Sequence, residues 1–489
     1  MSASPSKPVI ETSAAFTPAQ KFLRDAAIKS ADLVHREIIR KNMESYDAAH
    51  LRGRSRFKDW EAARRRCQEI KREAINHLDR YLLQFEEKVI AHGGHVFWAA
   101  NGDEACAYIR DLAVSRGVRT IVKSKSMVTE EIHLGPVLEE KGIKVWETDL
   151  GEFIVQLRNE PPYHIVTPAM HLNRQQIREL FRDHLGEDIA DADPQKLVAL
   201  ARRKLREAFF AAEMGISGAN FIIADSGAVA ISTNEGNGRL STSLPRIHVA
   251  ITGIEKVIPR LVDLATLWPT LATSGTGQPI TTYSTLVSGP RKPGEADGPE
   301  EFHVVLLDNG RSSLLGNAEE REVLHCIRCG ACLNICPVYR NIGGHTYNTT
   351  YQGPIGSVLT PHLRGSEFQH LSYASSLCGA CTSVCPVNIN LHHHLLHNRR
   401  DFTYAAGDGA KGRTQFKLWR RAMLNPRLYA FGGWMMRRGL RVLYGLGLAG
   451  TAADPLRAWS RKRTPIPLPS QPFRKMWKKG LAQKNTGKR

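Results

Sequence analysis

Apolar and polar residues follow two different periods along this chain. In the first 90 residues the apolar positions recur at helical spacing among many charges, as in KFLRDAAIKSADLVHREIIRKNMESY and in the run from Phe57 to Gly94. We therefore predict that residues 1–90 form a helical N-terminal region.

Beyond residue 90, short β-like runs alternate with helical ones. The predicted strands are HVFWAA, TIVKS, KVWETD, HIVTP, FIIADSGAVAIS, IHVAITGI and EFHVVLLDN. A long basic helix is predicted near Leu197–Met214, and SGPRKPGEADGPEE (residues 288–301) is predicted to be an exposed loop. Such alternation is typical of a parallel sheet with crossover helices, so we predict an α/β domain over residues 91–315.

Two cysteine motifs come next, and the first is CIRCGACLNICP (residues 326–337). Its cysteines have the spacing C-x2-C-x2-C-x3-C and are followed at once by Pro337: Cys326, Cys329, Cys332 and Cys336. This spacing matches the bacterial ferredoxin run, in which the fourth cysteine ligates the other cluster of a pair. Gly330 lets the loop approach the cluster closely.

The second motif, CGACTSVCP (residues 378–386), is the same run without its first cysteine, and Ser375 stands at that position. The pairing rule predicts cluster one on Cys326, Cys329, Cys332 and Cys385, and cluster two on Cys336, Cys378 and Cys381. The fourth iron of cluster two is open, held by another ligand such as Ser375 or a partner side chain, or absent.

We expect two [4Fe–4S] clusters, of which the second lacks a fourth cysteine ligand or is [3Fe–4S], in an iron–sulfur domain over residues 316–400. Zinc knuckles are the alternative, but zinc sites usually show two separated C-x2-C pairs or Cys/His sets. Cys67 and Cys106 lie far from both motifs and are predicted to be buried small apolar residues. The run HHHLLH (residues 392–397) is predicted to be a solvated helix face rather than a metal site.

Four polar or glycine-rich segments fall within the α/β domain: KSKSM (residues 123–127, with Lys123, Ser124, Lys125 and Ser126), DSG (residues 225–227), EGNGR (residues 235–239) and TSGTGQP (residues 273–279). Ligands of open α/β sheets bind beyond the carboxyl ends of strands. The basic pair beside glycine turns therefore suggests an anion or carboxylate site, against the alternative of ordinary turns with solvated lysines.

Charge is concentrated at the carboxyl end. Residues 410–489 hold 20 of the 67 Lys and Arg residues but only Asp454 of the 48 acidic ones, so the whole net charge of +19 lies there. Tryptophan, methionine and arginine are mixed at helical spacing, which predicts a basic helical extension over residues 401–489. It would dock on a partner subunit or an anionic membrane surface. No recognisable nucleic-acid-binding fold accompanies the charge, so we expect no nucleic acid.

The chain shows no secretory signal and no run of roughly 20 uncharged apolar residues. We therefore expect a cytoplasmic protein, in a reducing compartment where clustered cysteines bind metals. Peripheral contact with the inner face of the membrane, through residues 410–489, is part of that expectation.

KSKSM, DSGAVAISTNEGNGRLS and TSGTGQP, followed by CIRCGACLNICPVYR and CGACTSVCPVNI, resemble the lactate-utilisation iron–sulfur protein family, in which a LUD domain precedes ferredoxin-type 4Fe-4S motifs. The resemblance covers nearly the whole chain. It implies an α/β LUD-type domain, similar to sugar-phosphate isomerases and CoA-transferases, with a helical N-terminus. A mainly α-helical ferredoxin-like two-cluster domain and a basic helical tail would follow.

The resemblance also implies that the same seven cysteines are the cluster ligands. Such proteins work with a cysteine-rich subunit and a small LUD-domain subunit to oxidise L-lactate to pyruvate, which allows growth on lactate. We expect an electron-transfer subunit of such a complex, and no catalytic residue can be assigned. The alternatives are an iron–sulfur subunit of another respiratory dehydrogenase or reductase, and a self-sufficient LUD-domain oxidoreductase.

Overall fold

A computed structural model describes residues 16–405, 409–460, 467–478 and 480 of the chain. Contacts divide the chain into two compact units, Met1–Phe402 and Thr403–Arg489.

The first unit begins with four helices, as the apolar spacing predicts: α1 (Pro18–Ala31), α2 (Leu33–Arg54), α3 (Trp60–Asn76) and α4 (Leu78–Ala91). Polar side chains start three of them: Thr17, Asp32 and Asp59 each accept a hydrogen bond from a backbone N–H of the first turn.

Strands and helices then alternate, in this order: β1 (His95–Ala99), α5 (Gly102–Ser115), β2 (Thr120–Lys123), α6 (Met127–Glu131), α7 (Leu134–Glu139), β3 (Lys144–Glu147), α8 (Leu150–Leu157), α9 (Arg174–Leu185), α10 (Pro194–Ala211), β4 (Met214–Gly218), β5 (Phe221–Ile223), β6 (Ala228–Thr233), α11 (Asn237–Ser243), β7 (Ile247–Gly253), β8 (Val257–Ile258), α12 (Leu264–Thr276), β9 (Tyr283–Val287), β10 (Glu301–Leu307) and α13 (Arg311–Gly316).

Six of the strands form an all-parallel sheet in the order β1-β10-β7-β4-β2-β3. The central strand β7 is buried over its whole length, as expected of a parallel strand covered on both faces. The predicted parallel sheet with crossover helices is confirmed, and the predicted basic helix is α10.

Two sequence-based predictions about strands are wrong. HIVTP (residues 164–168) is a loop: the carbonyl of Pro168 accepts the N–H of Tyr163, which folds the segment back on itself, and the ring of His164 pairs with Asn334. FIIADSGAVAIS forms the antiparallel hairpin β5–β6 of a second, four-stranded sheet, in the order β8-β5-β6-β9, rather than a strand of the parallel sheet.

Five helices follow in the region of the cysteine motifs, and α14 and α17 lie within the motifs themselves: α14 (Ala331–Ile335), α15 (Tyr339–Ile342), α16 (Gly353–Arg364), α17 (Ala380–Val384) and α18 (Leu391–Ala405). Their apolar side chains share one hydrophobic core with the N-terminal helices and the second sheet, and Phe85, Phe221 and Leu333 are members of it. The limits of the four predicted segments stay predictions.

The second unit contains α19 (Gly409–Leu424), α20 (Pro426–Gly445), α21 (Arg457–Ser460) and α22 (Phe473–Lys478). Within the described part of the chain, no helix has both the length and the apolar character needed to cross a bilayer.

Candidate iron–sulfur centre and adjoining pocket

The two cysteine motifs adopt the same local structure. Gly330 and Gly379 have φ angles of 80° and 77°, in the left-handed region that favours glycine, and each begins a five-residue helix, α14 or α17. These two helices pack against each other. The matching loops and helices place the cysteines of both motifs around one region of the core.

Cysteines of the two motifs lie close enough to interact electrostatically, and Cys332 interacts with both Cys381 and Cys385 of the second motif. Burial raises the pKa of Cys329, and the nearby Cys385 raises it further. Burial likewise raises the pKa of Cys385, and Cys326 adds to this rise. The pKa of Cys381 is raised to about 11 by burial and then by Cys336 and Cys378. The fourth cysteine of the first motif thus lies with the second motif, and Cys385 lies with the first. Which thiolates bind which cluster stays a prediction.

Backbone N–H groups point at several of the sulfurs. The N–H of Arg328 donates to Sγ of Cys326 at 3.4 Å, and that of Ile389 donates to Sγ of Cys385 at 3.3 Å. Donors of this kind stabilise negative charge on cluster sulfurs. Buried thiolate donors, tight glycine loops and inward N–H groups together fit [4Fe–4S] clusters as the bound group.

Ser375 accepts the N–H of Leu377 at 3.1 Å through its hydroxyl oxygen. Cys378, close to it in the chain, is exposed, whereas Cys381 and Cys385 are buried. The hydroxyl is therefore used in a local turn.

Cys67 and Cys106 are buried, as predicted. Each thiol faces a backbone carbonyl: that of Thr266 for Cys67 and that of Ile132 for Cys106. Burial raises the pKa of both to about 11, so these are inert thiols of the core.

The sequence-based prediction of a solvated histidine face is wrong for His394, although His393 is exposed. His394 is 3% exposed, and its two ring nitrogens lie 3.0 Å from Glu320 and 2.9 Å from Glu322. Burial lowers its pKa, but the hydrogen bonds of the two carboxylates outweigh this and raise it to about 9. His394 is therefore an imidazolium that joins α18 to the segment before the first motif.

Side chains outside the motifs hold them in place, and no local sequence pattern marks them. Arg64 of α3 is buried and donates to the carbonyls of Cys385 at 2.9 Å and Thr382 at 3.4 Å. Glu255 accepts from Nε of Arg311 at 2.6 Å and from Nη2 of Arg328 at 3.3 Å. Because Arg328 lies between Cys326 and Cys329, this buried carboxylate ties the first motif to the α/β domain.

A cavity of about 410 Å³ opens at the carboxyl ends of β2 and β4 and reaches Cys329. It brings together three of the four segments singled out from the sequence, KSKSM, EGNGR and TSGTGQP. We call it the strand-end pocket, and its lining includes Ser124, Lys125, Ser126, Asp149, Ser232, Glu235, Asn237, Lys256, Thr276, Arg328, Cys329 and Tyr351. The DSG segment does not line it.

The two lysines of KSKSM do not form the expected basic pair, and only Lys125 lines the pocket. Lys123 points into a buried carboxylate cluster, where its Nζ lies 2.9 Å from Glu147 and 3.1 Å from Glu130. Lys125 lies 3.4 Å from Asp149. The buried lysine of the pocket that has no ion-pair or hydrogen-bond partner among the described residues is Lys256, which pattern reasoning missed.

Family models match two parts of the chain: a LUD domain over residues 82–307 and a 4Fe-4S dicluster domain over residues 322–389. Proteins called Lactate utilization protein B are similar along most of their length. Identity is 45% to that of Geobacillus thermodenitrificans, over 86% of this chain and 88% of the relative. It is 44% for Bacillus velezensis, over 87% and 90%, and 42% for Bacillus pumilus, over 92% and 95%.

Proposed function

The chain belongs to the family of Lactate utilization protein B, and on that premise we propose that it is the iron–sulfur electron-transfer subunit of a complex that oxidises L-lactate to pyruvate and so enables growth on lactate. A cysteine-rich subunit and a small LUD-domain subunit complete the proposed complex. Oxidation of L-lactate to pyruvate releases two electrons and two protons.

The position of the seven motif cysteines supports this proposal best. Cys329 of the first motif lines the strand-end pocket, and Cys378 of the second motif is exposed at the protein surface. Two bound [4Fe–4S] clusters would supply one-electron carriers at these positions. The chain's own residues hold the ligand loops rigid: Arg64 binds the second motif, and Glu255 binds the first through Arg328.

Anaerobic mixing of L-lactate with the three-subunit complex tests the proposal. We expect the visible iron–sulfur absorbance to fall when lactate is added, and Cys385→Ala to abolish most of this change. Cys67→Ala is the matched control, because that thiol belongs to neither motif and faces the carbonyl of Thr266, so its loss should leave the change intact. A complex that keeps its oxidised spectrum with lactate, yet is bleached by dithionite, would contradict the proposal.

A self-sufficient oxidoreductase is the second candidate, and the pocket beside Cys329 favours it. The same spectrum recorded on the purified chain alone separates the two. The electron-transfer subunit stays oxidised with lactate until its partners are added, whereas the self-sufficient enzyme is bleached without them.

We propose that the second unit makes peripheral contact with an anionic membrane surface. Helices α19 and α20 carry exposed aromatic side chains together with arginines; Trp419, Phe431 and Trp434 are examples. Lys and Arg attract anionic lipids while aromatic rings enter the interface. Deletion of residues 410–489 should abolish co-sedimentation with phosphatidylglycerol vesicles, and unchanged co-sedimentation would contradict this proposal.

A further inference from the structure

We infer that the strand-end pocket binds a small hydroxycarboxylate, and that Lys256 is the cation that receives its carboxylate. The choice of L-lactate as the first probe rests on the proposed function. The inference itself rests on the charges, the hydroxyl groups and the position of the pocket.

Lys256 is the main reason to expect an anion. Its side chain lines the pocket and the residue is only 5% exposed, yet no carboxylate or hydrogen-bond acceptor contacts its ammonium group among the described residues. Glu255 and the thiol of Cys326 lie near enough to interact electrostatically with Lys256, but neither contacts its ammonium group. A buried charge without a direct contact is costly, so a group of opposite charge is expected to bind there. A carboxylate in the pocket would supply that charge.

Arg328 provides a second cationic contact. Its Nη2 donates to Glu255 at 3.3 Å, whereas its Nη1 is buried without a hydrogen-bond partner and its side chain lines the same pocket. The guanidinium also lies over the ring of Tyr351, 4.3 Å from the centroid, which fixes its plane. A planar carboxylate can accept from a guanidinium held in this way.

The negative side chains of the pocket already have partners. Asp149 lies 3.4 Å from Nζ of Lys125 and accepts the N–H of Gly151 at 3.0 Å. Glu235 accepts the N–H of Leu150 at 3.3 Å. These carboxylates each accept a hydrogen bond, whereas Lys256 and Nη1 of Arg328 have N–H donors with no acceptor among the described residues, so the pocket favours an anion.

Two serines favour a ligand that also carries a hydroxyl or keto oxygen. Ser124, at the carboxyl end of β2, is 2% exposed, and its hydroxyl has no side-chain hydrogen bond among the described residues. Ser232 of β6 lines the same pocket with a buried hydroxyl that is also without a partner. Unpaired buried hydroxyls disfavour a purely apolar ligand.

Anaerobic calorimetric titration of the cluster-loaded full chain with sodium L-lactate, at constant ionic strength, tests the inference. We expect measurable binding, weakened about 10- to 100-fold by Lys256→Gln because a charge-assisted contact is lost. Ser124→Ala, which removes one small hydroxyl, should weaken binding severalfold. The matched control is Lys196→Gln, since Lys196 is an exposed lysine of α10 and its loss should change nothing.

The titration is repeated with 2-hydroxybutyrate and inorganic phosphate, because a cavity of about 410 Å³ exceeds the size of a three-carbon acid. Lysine-dependent binding of either hydroxy acid supports the inference. No binding of either acid, or binding that Lys256→Gln leaves unchanged, overturns it. Lys256-dependent binding of phosphate alone overturns the carboxylate assignment.

The two proposals fail in different ways. If the chain binds lactate but the three-subunit complex is not bleached by it, the proposed function is wrong and the pocket assignment stands. If lactate bleaches the complex but the chain alone shows no Lys256-dependent binding, the pocket assignment is wrong and the proposed function stands.

Discussion

Glu255→Gln tests how the first cysteine motif is held to the α/β domain. The substitution keeps the shape of the side chain but removes a buried negative charge that faces Arg311 and Arg328 at 2.6 and 3.3 Å. Glu255 is 1% exposed, so water cannot replace the lost charge. Arg328 would then lose its ionic partner beside the cluster ligands.

The size of the effect follows from burial and charge. Removing one partner of a buried ion pair costs about 3–5 kcal/mol. Burial raises the pKa of Glu255, but Arg311 and Arg328 outweigh this and lower it from 4.5 to about 2. This shift corresponds to about 3 kcal/mol of stabilisation of the ionised carboxylate, in agreement with the cost of breaking the ion pair. With about 2.1 cal/mol/K of unfolding entropy per residue, a unit of roughly 400 residues should lose about 4–6 °C in Tm.

Differential scanning fluorimetry under anaerobic conditions measures the change in Tm, and iron analysis of the same samples shows whether the first motif still holds its metal. Glu139→Gln is the matched control, because Glu139 is exposed and makes no ion pair among the described residues. We expect a lower Tm and a lower iron content for Glu255→Gln only. Equal Tm and iron values for the two variants would refute this account of the buried network.

Three other side chains allow further tests. Lys123→Met should lower the stability by about 3–5 kcal/mol, because it removes the buried ammonium group that lies 2.9 Å from the carboxylate of Glu147; denaturant unfolding measures this. Because the pKa of His394 is raised to about 9, its stabilisation is complete below pH 6.5 and is lost as the pH rises through 9. His394→Gln should remove that part of the decline in Tm, and an unchanged profile would contradict it. Cys67→Ala should leave the iron content unchanged, as metal analysis would show.

The parallel sheet was predictable because its strands carry a signal in local sequence. IHVAITGI and EFHVVLLDN are continuous β-branched and apolar runs, and they become the buried neighbours β7 and β10. MGISG carries no such signal: it is short and glycine-rich, so strand β4 was missed at the end of a predicted helix. HIVTP has the composition of a strand, but it is a loop whose His164 side chain bonds to the side chain of Asn334.

The cysteine spacing predicted the candidate ligand set of the motifs but not the side chains that support it. Arg64 and Glu255 come from distant segments, and one arginine or glutamate among many has no local signature. For the same reason, the sequence could not show which lysine faces the pocket without an ion pair. Lys123 and Lys256 look alike in sequence, and only the fold shows that Lys123 forms ion pairs with carboxylates, whereas Lys256 lines the pocket without a direct ion pair among the described residues.

Anaerobic iron and sulfide analysis with EPR spectroscopy, before and after reduction by dithionite, tests the central claim most directly. Two [4Fe–4S] clusters predict about eight irons and eight sulfides per chain, with two interacting signals in the reduced state. About seven irons with an oxidised-state signal would mean that the position of Ser375 leaves a [3Fe–4S] cluster. Little iron with stoichiometric zinc would contradict the iron–sulfur assignment and the electron-transfer function built on it.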